Sequence, residues 1–176
     1  MDIKEITELV KKNMADMNIK DDASFKQEKI SDMKAFDSFE VNLVMAKVIS
    51  DAVMKKAEEI GVKAVCAVVN KGARPVLVEC ADDSFIASYD IALNKAFTSV
   101  SLKMKTKDLS KLARPDGSLY GIQNTNDGRI VIFGGGTPLK RGDTVIGGFG
   151  VSGGTAEQDT FLGDYAEEVF NEICVK

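Results

Sequence analysis

The sequence predicts an α+β fold: an antiparallel sheet flanked by helices and preceded by a separate amphipathic N-terminal helix. Three observations predict it. No glycine occurs before Gly61, so a helix-prone front gives way to a glycine-punctuated remainder. Two pairs of strand-like apolar runs each bracket a short turn signal, which implies hairpins rather than the long crossovers of a parallel sheet. Around these pairs, apolar residues recur every three or four positions, the period of a helix with one buried face.

Taken in order, Asp2 and Glu5 have capping-box spacing. Ile3, Ile6, Val10, Met14 and Met17 then recur at steps of three and four, which predicts an amphipathic helix over residues 1–18. Residues 19–36 read as a polar linker, and residues 37–176 as the domain. Its first helix is expected to be capped within Asp37-Ser38-Phe39-Glu40 and to align Val41, Val44, Met45, Val48, Ala52, Val53, Ala57 and Ile60 on one face, with Gly61 as C-cap. VKAVCAVVN and PVLVECA are expected strands joined by the turn KGAR around Gly72, with Pro75 opening the second. A helix capped by Ser84 should carry Ile86, Tyr89, Ile91, Ala92, Lys95, Ala96, Val100 and Leu102, and TKDLSKLA a shorter helix before the loop RPDGS. RIVIFGGG and TVIGGFGV are expected strands around the turn PLKRGD. EQDTFLGDYAEEVFNEI closes the chain as a helix with Phe161, Tyr165, Val169 and Ile173 at steps of four.

Composition narrows the function classes. A net charge of −4 with interspersed signs leaves no basic stripe for a phosphate backbone, so nucleic acid is not an expected partner. No apolar run approaches the length of a membrane span. Residues 1–34 carry seven Lys and eight Asp or Glu, unlike the cationic face of an interfacial helix. The charged opening DIKEITELVKK is not a secretory signal, and a cytoplasmic location is expected. Cys66, Cys80 and Cys174 have no C-x-x-C spacing and read as reduced thiols, Cys66 as a small buried hydrophobe. No metal site is expected from three scattered cysteines without histidine.

Residues 134–154, GGGTPLKRGDTVIGGFGVSGG, hold nine of the fifteen glycines. The P-loop reading fails because Lys140 lies between Leu139 and Arg141. The dinucleotide fingerprint fails because the triplet leads into Pro138 and another strand, not a helix. Gly150-Val151-Ser152-Gly153-Gly154 matches the G-x-S-x-G nucleophile elbow, yet the chain has no histidine to act as its base. Gly134, Gly135, Gly136, Ser152, Gly153 and Gly154 remain ligand-binding candidates, since turn amides can cradle an anion; turn geometry and sheet packing are the competing role. Lys95 can meet a carboxylate or phosphate, or pair with a neighbouring acid. Asp159 can join such a site, or favourably charge the start of the last helix. No acid/base pair or nucleophile-base couple emerges, so no residue is assigned to catalysis.

Three stretches together resemble the GlcG/HbpS family, which also supplies the C-terminal domain of PduO-type cobalamin adenosyltransferases. They are KKAEEIGVKAVCAVVNKGARPVLVE, ALNKAFTSVSLKMKT and FGGGTPLKRGDTVIGGFGVSGGTAEQD, and the resemblance spans roughly residues 38 to 173. It implies a homo-oligomer that binds a small molecule or has an accessory role, with the glycine hairpin bordering a ligand or a subunit contact. Relatives that bind haem hold its iron through histidine, which this chain lacks. The cofactor stays unassigned, with tetrapyrrole and flavin both open and no ligand residue here to support either. Asn70 stands in the first hairpin where relatives often have Asp. The N-terminal helix and linker resemble the encapsulation peptides of bacterial microcompartments, which implies a shell protein as partner; the alternative is that the helix packs on its own domain or a sister subunit. Two other functional classes stay open: an enzyme of cobalamin or other cofactor metabolism, and a structural or scaffolding protein.

Overall fold

The computed structural model describes Phe36 and residues 38–174; the expected N-terminal helix, and the linker but for Phe36, lie outside the described residues. Helix α1 (Leu43–Glu59) leads into strands β1 (Val65–Asn70) and β2 (Pro75–Cys80). Helices α2 (Ile86–Ser101) and α3 (Thr106–Leu112) follow, then strands β3 (Gly136–Arg141) and β4 (Thr144–Ser152) and helix α4 (Ala156–Cys174). The strands form one antiparallel sheet in the order β2-β1-β4-β3. Both prolines of the sheet, Pro75 and Pro138, stand on its outer strands, where a missing N–H costs least.

The sheet has a helical layer on each face. On one face, Cys66, Val68, Phe149 and Val151 pack with Met45, Ile49 and Val53 of α1 and Leu162, Ala166 and Phe170 of α4. On the other, Val65, Ala67 and Val69 meet Ala92, Ala96 and Val100 of α2. The alternation of β4 explains its glycines: Phe149 and Val151 fill the first face, while Gly148 and Gly150 leave the second flat. A Cβ on Gly150 would stand 2.1 Å from the Ala92 carbonyl oxygen, and one on Gly148 would stand 2.6 Å from Ser99 Oγ. The glycines thus let α2 lie directly on the strand backbone.

Local signals and outcomes differ in instructive ways. Helix α1 is capped by Asn42, whose Oδ1 accepts from the Met45 amide at 3.1 Å, and not from within residues 37–40. Ser38 instead closes a local turn with Glu40, and Val41 is drawn into the sheet layer by donating its amide to the Ile146 carbonyl. Gly61 does end the helix, with a φ of 72° and Val62 donating back to Ala57. In the first hairpin, Asn70 Oδ1 accepts from the amides of Gly72 and Arg74, both at 3.0 Å.

Residues 130–133 of RIVIFGGG are not strand. The strand is GTPLKR, most of the stretch expected to be a turn, and the actual turn is the residue pair Gly142-Asp143. The reason is pairing: register with β4 begins at Gly136, while Ile130 and Val131 are anchored to α2, where Thr98 Oγ1 accepts from the Val131 amide. Helix α2 starts after Phe85 without a side-chain cap from Ser84. Ile86 and Tyr89 are exposed, and the buried face is Ser88, Ala92, Lys95, Ala96 and Ser99, with the small Ala92, Ala96 and Ser99 where it crosses Gly148 and Gly150. In α4 the buried face is Leu162, Gly163, Ala166, Val169 and Phe170, leaving Phe161 exposed.

Candidate functional site

Lys95 is among the largest fully buried side chains of the described domain, and its ammonium lies between α2, β4 and α4. Nζ donates to Asp159 Oδ2 at 2.6 Å and to the Val151 carbonyl at 2.8 Å, and the ring of Phe133 stands over it at 4.8 Å from the centroid. Two hydrogen bonds and one cation–π contact therefore replace the water a buried ammonium loses. Asp159 sits in the first turn of α4, where the helix dipole favours a negative charge. A capping box positions that turn, with Thr155 Oγ1 accepting from the Gln158 amide and Gln158 Oε1 from the Thr155 amide.

The glycine turns are built around this pair. Asp159 Oδ1 accepts from the Gly154 amide at 3.0 Å, and the Gly153 amide also supports the carboxylate. The amides of Gly153 and Gly154, two of the residues expected to cradle an anion, are turned to the chain's own Asp159. Gly135 has a φ of 111°, and a Cβ there would stand 2.9 Å from Lys95 Nζ. Gly136 donates its amide to Thr106 Oγ1, and Gly134 packs so tightly on Thr160 that a Cβ would overlap its hydroxyl. Ser152 Oγ lies 3.3 Å from Ser88 Oγ, both buried. All eight ligand-binding candidates therefore meet in one region, most of them buried, with Gly154 exposed at its edge.

Burial lowers the Lys95 pKa from its ordinary value, opposed by the charge and hydrogen bond of Asp159. Burial likewise raises that of Asp159, opposed by Lys95 and then by the Gly154 and Gly153 amides. Desolvation acts on both partners toward neutrality, so each is kept charged by the other. Sequence reading left Ser88 and Thr106 unmarked and did not place Phe133 at the site. Ser88 is seven residues before Lys95 on one helical face, and Phe133 directly precedes the glycine triplet; those spacings were the available signals.

An antiparallel sheet with helices on both faces, its second hairpin fused to a helix through glycines, defines the class of protein. The chain belongs to the HbpS-like family, described by the name 'haem degrading protein HbpS-like', whose model matches residues 41–166. An uncharacterised 15.0 kDa protein from the dhaT-dhaS intergenic region of Citrobacter freundii is 46% identical over 133 residues, 76% of this chain and 94% of the relative. The corrinoid adenosyltransferase PduO of Citrobacter freundii is 33% identical over 120 residues, 68% of this chain but 36% of that enzyme. A crystal structure of a PduOC–haem complex is similar with a TM-score of 0.67 and 32% identity, covering 69% of this chain and 88% of that one.

The residues present do not fit a haem held by imidazole or by a buried thiolate. The chain has no histidine. Burial pushes the Cys66 thiol up and the Cys174 thiol up to about 11, so both stay protonated and make poor iron ligands. Among the described residues, no group of three or more His, Cys, Asp or Glu is arranged to hold a metal ion, and no helix is long and apolar enough to cross a membrane.

Proposed function

We propose that this chain is a self-associating accessory domain that binds a flat small molecule, of tetrapyrrole or flavin type, without a protein bond to iron. One observation carries the reading: Phe133, 42% exposed, spreads its ring at the surface directly above the buried Lys95–Asp159 pair and beside the glycine turns. Gly134, Gly135 and Gly136 follow Phe133 directly in the chain, so the ring borders the glycine turns. A planar ligand can stack on such a ring with its acidic groups toward exposed amides and the rim. The haem complex of the related PduOC supports the ligand class. The corrinoid chemistry of PduO is not carried over, because this chain matches about a third of that enzyme.

Titration with haemin, metal-free protoporphyrin and flavin mononucleotide tests this by absorption and fluorescence. Haemin and the metal-free porphyrin should bind with similar affinity, and Phe133→Ala should weaken both. Failure of all three to bind at micromolar concentration overturns the reading. So does a sharp Soret band with tight one-to-one haemin binding that metal-free porphyrin does not share.

A second reading concerns residues 1–18, which precede the family match beginning at residue 41. We propose that this segment, whose spacing predicts a helix, addresses the domain to a microcompartment shell by laying Ile3, Ile6, Val10, Met14 and Met17 into a groove. A reporter fused to residues 1–20 should enter the compartment, and Ile6→Glu with Val10→Glu should abolish entry, since charge on the docking face must be desolvated. Entry unaffected by the double change removes the targeting reading.

A further inference from the structure

Helix α2 is apolar on two faces. Its inner face lies on the sheet, as described. Its flank carries a second stripe, Ile86, Tyr89, Leu93 and Phe97, at i, i+3, i+7 and i+11, the spacing of a helix seam. Ile86 is 96% exposed and Tyr89 47%, while Leu93 and Phe97 are half-buried; Phe85, 72% exposed, extends the stripe at its start. The sheet beneath is unevenly covered. Two helices, α1 and α4, share one face, whereas α2 on the other lies over β4, β1 and β3 and hardly reaches β2. Val78 of β2 is left half-buried on that side. The stripe and the uncovered strip of sheet together form a place for one more helix.

The charges beside the stripe say which helix. Its N-terminal half is acidic, with Asp82, Asp83 and Asp90 exposed. Its C-terminal half is basic: Lys103 is exposed, and the Arg129 guanidinium lies 3.7 Å from the Phe97 ring centroid, with Nε 3.3 Å from Asn94 Oδ1. A helix laid antiparallel along α2 would need acidic groups where α2 is basic and basic groups where it is acidic. The α2 segment of another copy, turned end for end by a two-fold axis, has that pattern and a matching apolar stripe.

We infer that α2 pairs antiparallel with α2 of a second copy of this chain, with the stripe from Ile86 to Phe97 as the seam and Asp90 of each copy facing Arg129 of the other. The inference rests on the self-association reading above and specifies its surface. Light scattering on the full chain separates the two. A wild-type mass of one chain sinks both self-association and this interface. If the wild type is oligomeric, Ile86→Glu should lower its mass at least twofold while leaving the circular dichroism spectrum and melting cooperativity intact, because Ile86 has almost no contacts within its own copy. An oligomer of unchanged mass in Ile86→Glu overturns the interface alone, and an unchanged mass with a lowered melting temperature shows that a segment of the same chain covers the stripe. The charge arrangement has its own check: Asp90→Arg and Arg129→Asp should each raise the dissociation constant about tenfold or more, and the double variant should recover most of that loss. Additive losses in the double variant reject the antiparallel register.

Discussion

At the scale of residues, the Lys95–Asp159 pair has opposite consequences for single and paired substitution. Asp159→Asn or Lys95→Met alone leaves one buried charge without its partner, and each should destabilise the domain by about 3–5 kcal/mol. Lys95→Met combined with Asp159→Leu should cost clearly less than the sum, because no uncompensated charge remains; urea denaturation of the three variants measures this. The pH dependence of Asp159→Asn follows from the same physics. Burial already lowers the Lys95 pKa, and without the carboxylate nothing equivalent opposes it. Between the depressed folded value and the ordinary lysine value of 10.5 the unfolded chain holds a proton that the folded one lacks, so stability rises with pH across that window. Asp164 behaves oppositely. Burial pushes its carboxyl up, but hydrogen bonds from Lys105 and Lys107 outweigh this and hold it below its ordinary 3.8. Its contribution is complete above that range and lost as the pH falls through the depressed folded value. The melting-temperature gap between wild type and Asp164→Asn should therefore close on acidification.

At the scale of elements, the contact between α2 and β4 depends on two missing methyl groups. Gly150→Ala drives a Cβ into the Ala92 carbonyl, which is backbone and has no rotamer to escape by. Separating helix from strand should cost about 2–3 kcal/mol or more. Gly72→Ala is the control: its φ is not in the left-handed region, and its added Cβ would stand an ordinary 3.4 Å from Asn70 Oδ1. That change should stay within about 0.5 kcal/mol of wild type, or stabilise slightly through the unfolded chain. Asn42→Ala removes the cap of α1 and should cost about 1 kcal/mol. Calorimetry ranks the three, and a Gly150→Ala variant as stable as Gly72→Ala contradicts the packing described for α2.

At the scale of the molecule, the domain is held from both sides of one sheet, and several of its ion pairs join elements distant in sequence. Lys105 bonds both Asp164 and Glu167, tying the start of α3 to α4, and Arg141 donates to the carbonyls of Phe36 and Cys174, the first and last described residues. Residues 1–30 precede all of these ties. If they serve as an address, their removal should leave the melting temperature nearly unchanged. A large loss of stability or aggregation on truncation would instead place the segment within the fold or a subunit contact.

Much of this architecture was legible in local sequence. The helix ending at Gly61, the Asn70 turn and the first hairpin follow from spacing and turn chemistry that act over a few residues. The family resemblance rested on motifs such as FGGGTPLKRGDTVIGGFGVSGG, whose order survives in the folded hairpin. Three matters were decided by tertiary contact. Which residues of GGGTPLKRGD form strand depends on register with β4, a choice made between distant segments. The outward turn of Ile86 depends on which face of α2 the sheet accepts, and where β4 carries Gly148 and Gly150 that face brings Ala92, Ala96 and Ser99 against the strand. The partner of Lys95 is 64 positions away, and only the docking of α4 beside β4 brings Asp159 within 2.6 Å. Local propensity acts along the chain, whereas a buried charge selects its partner through space, because desolvation penalises every arrangement that leaves it alone.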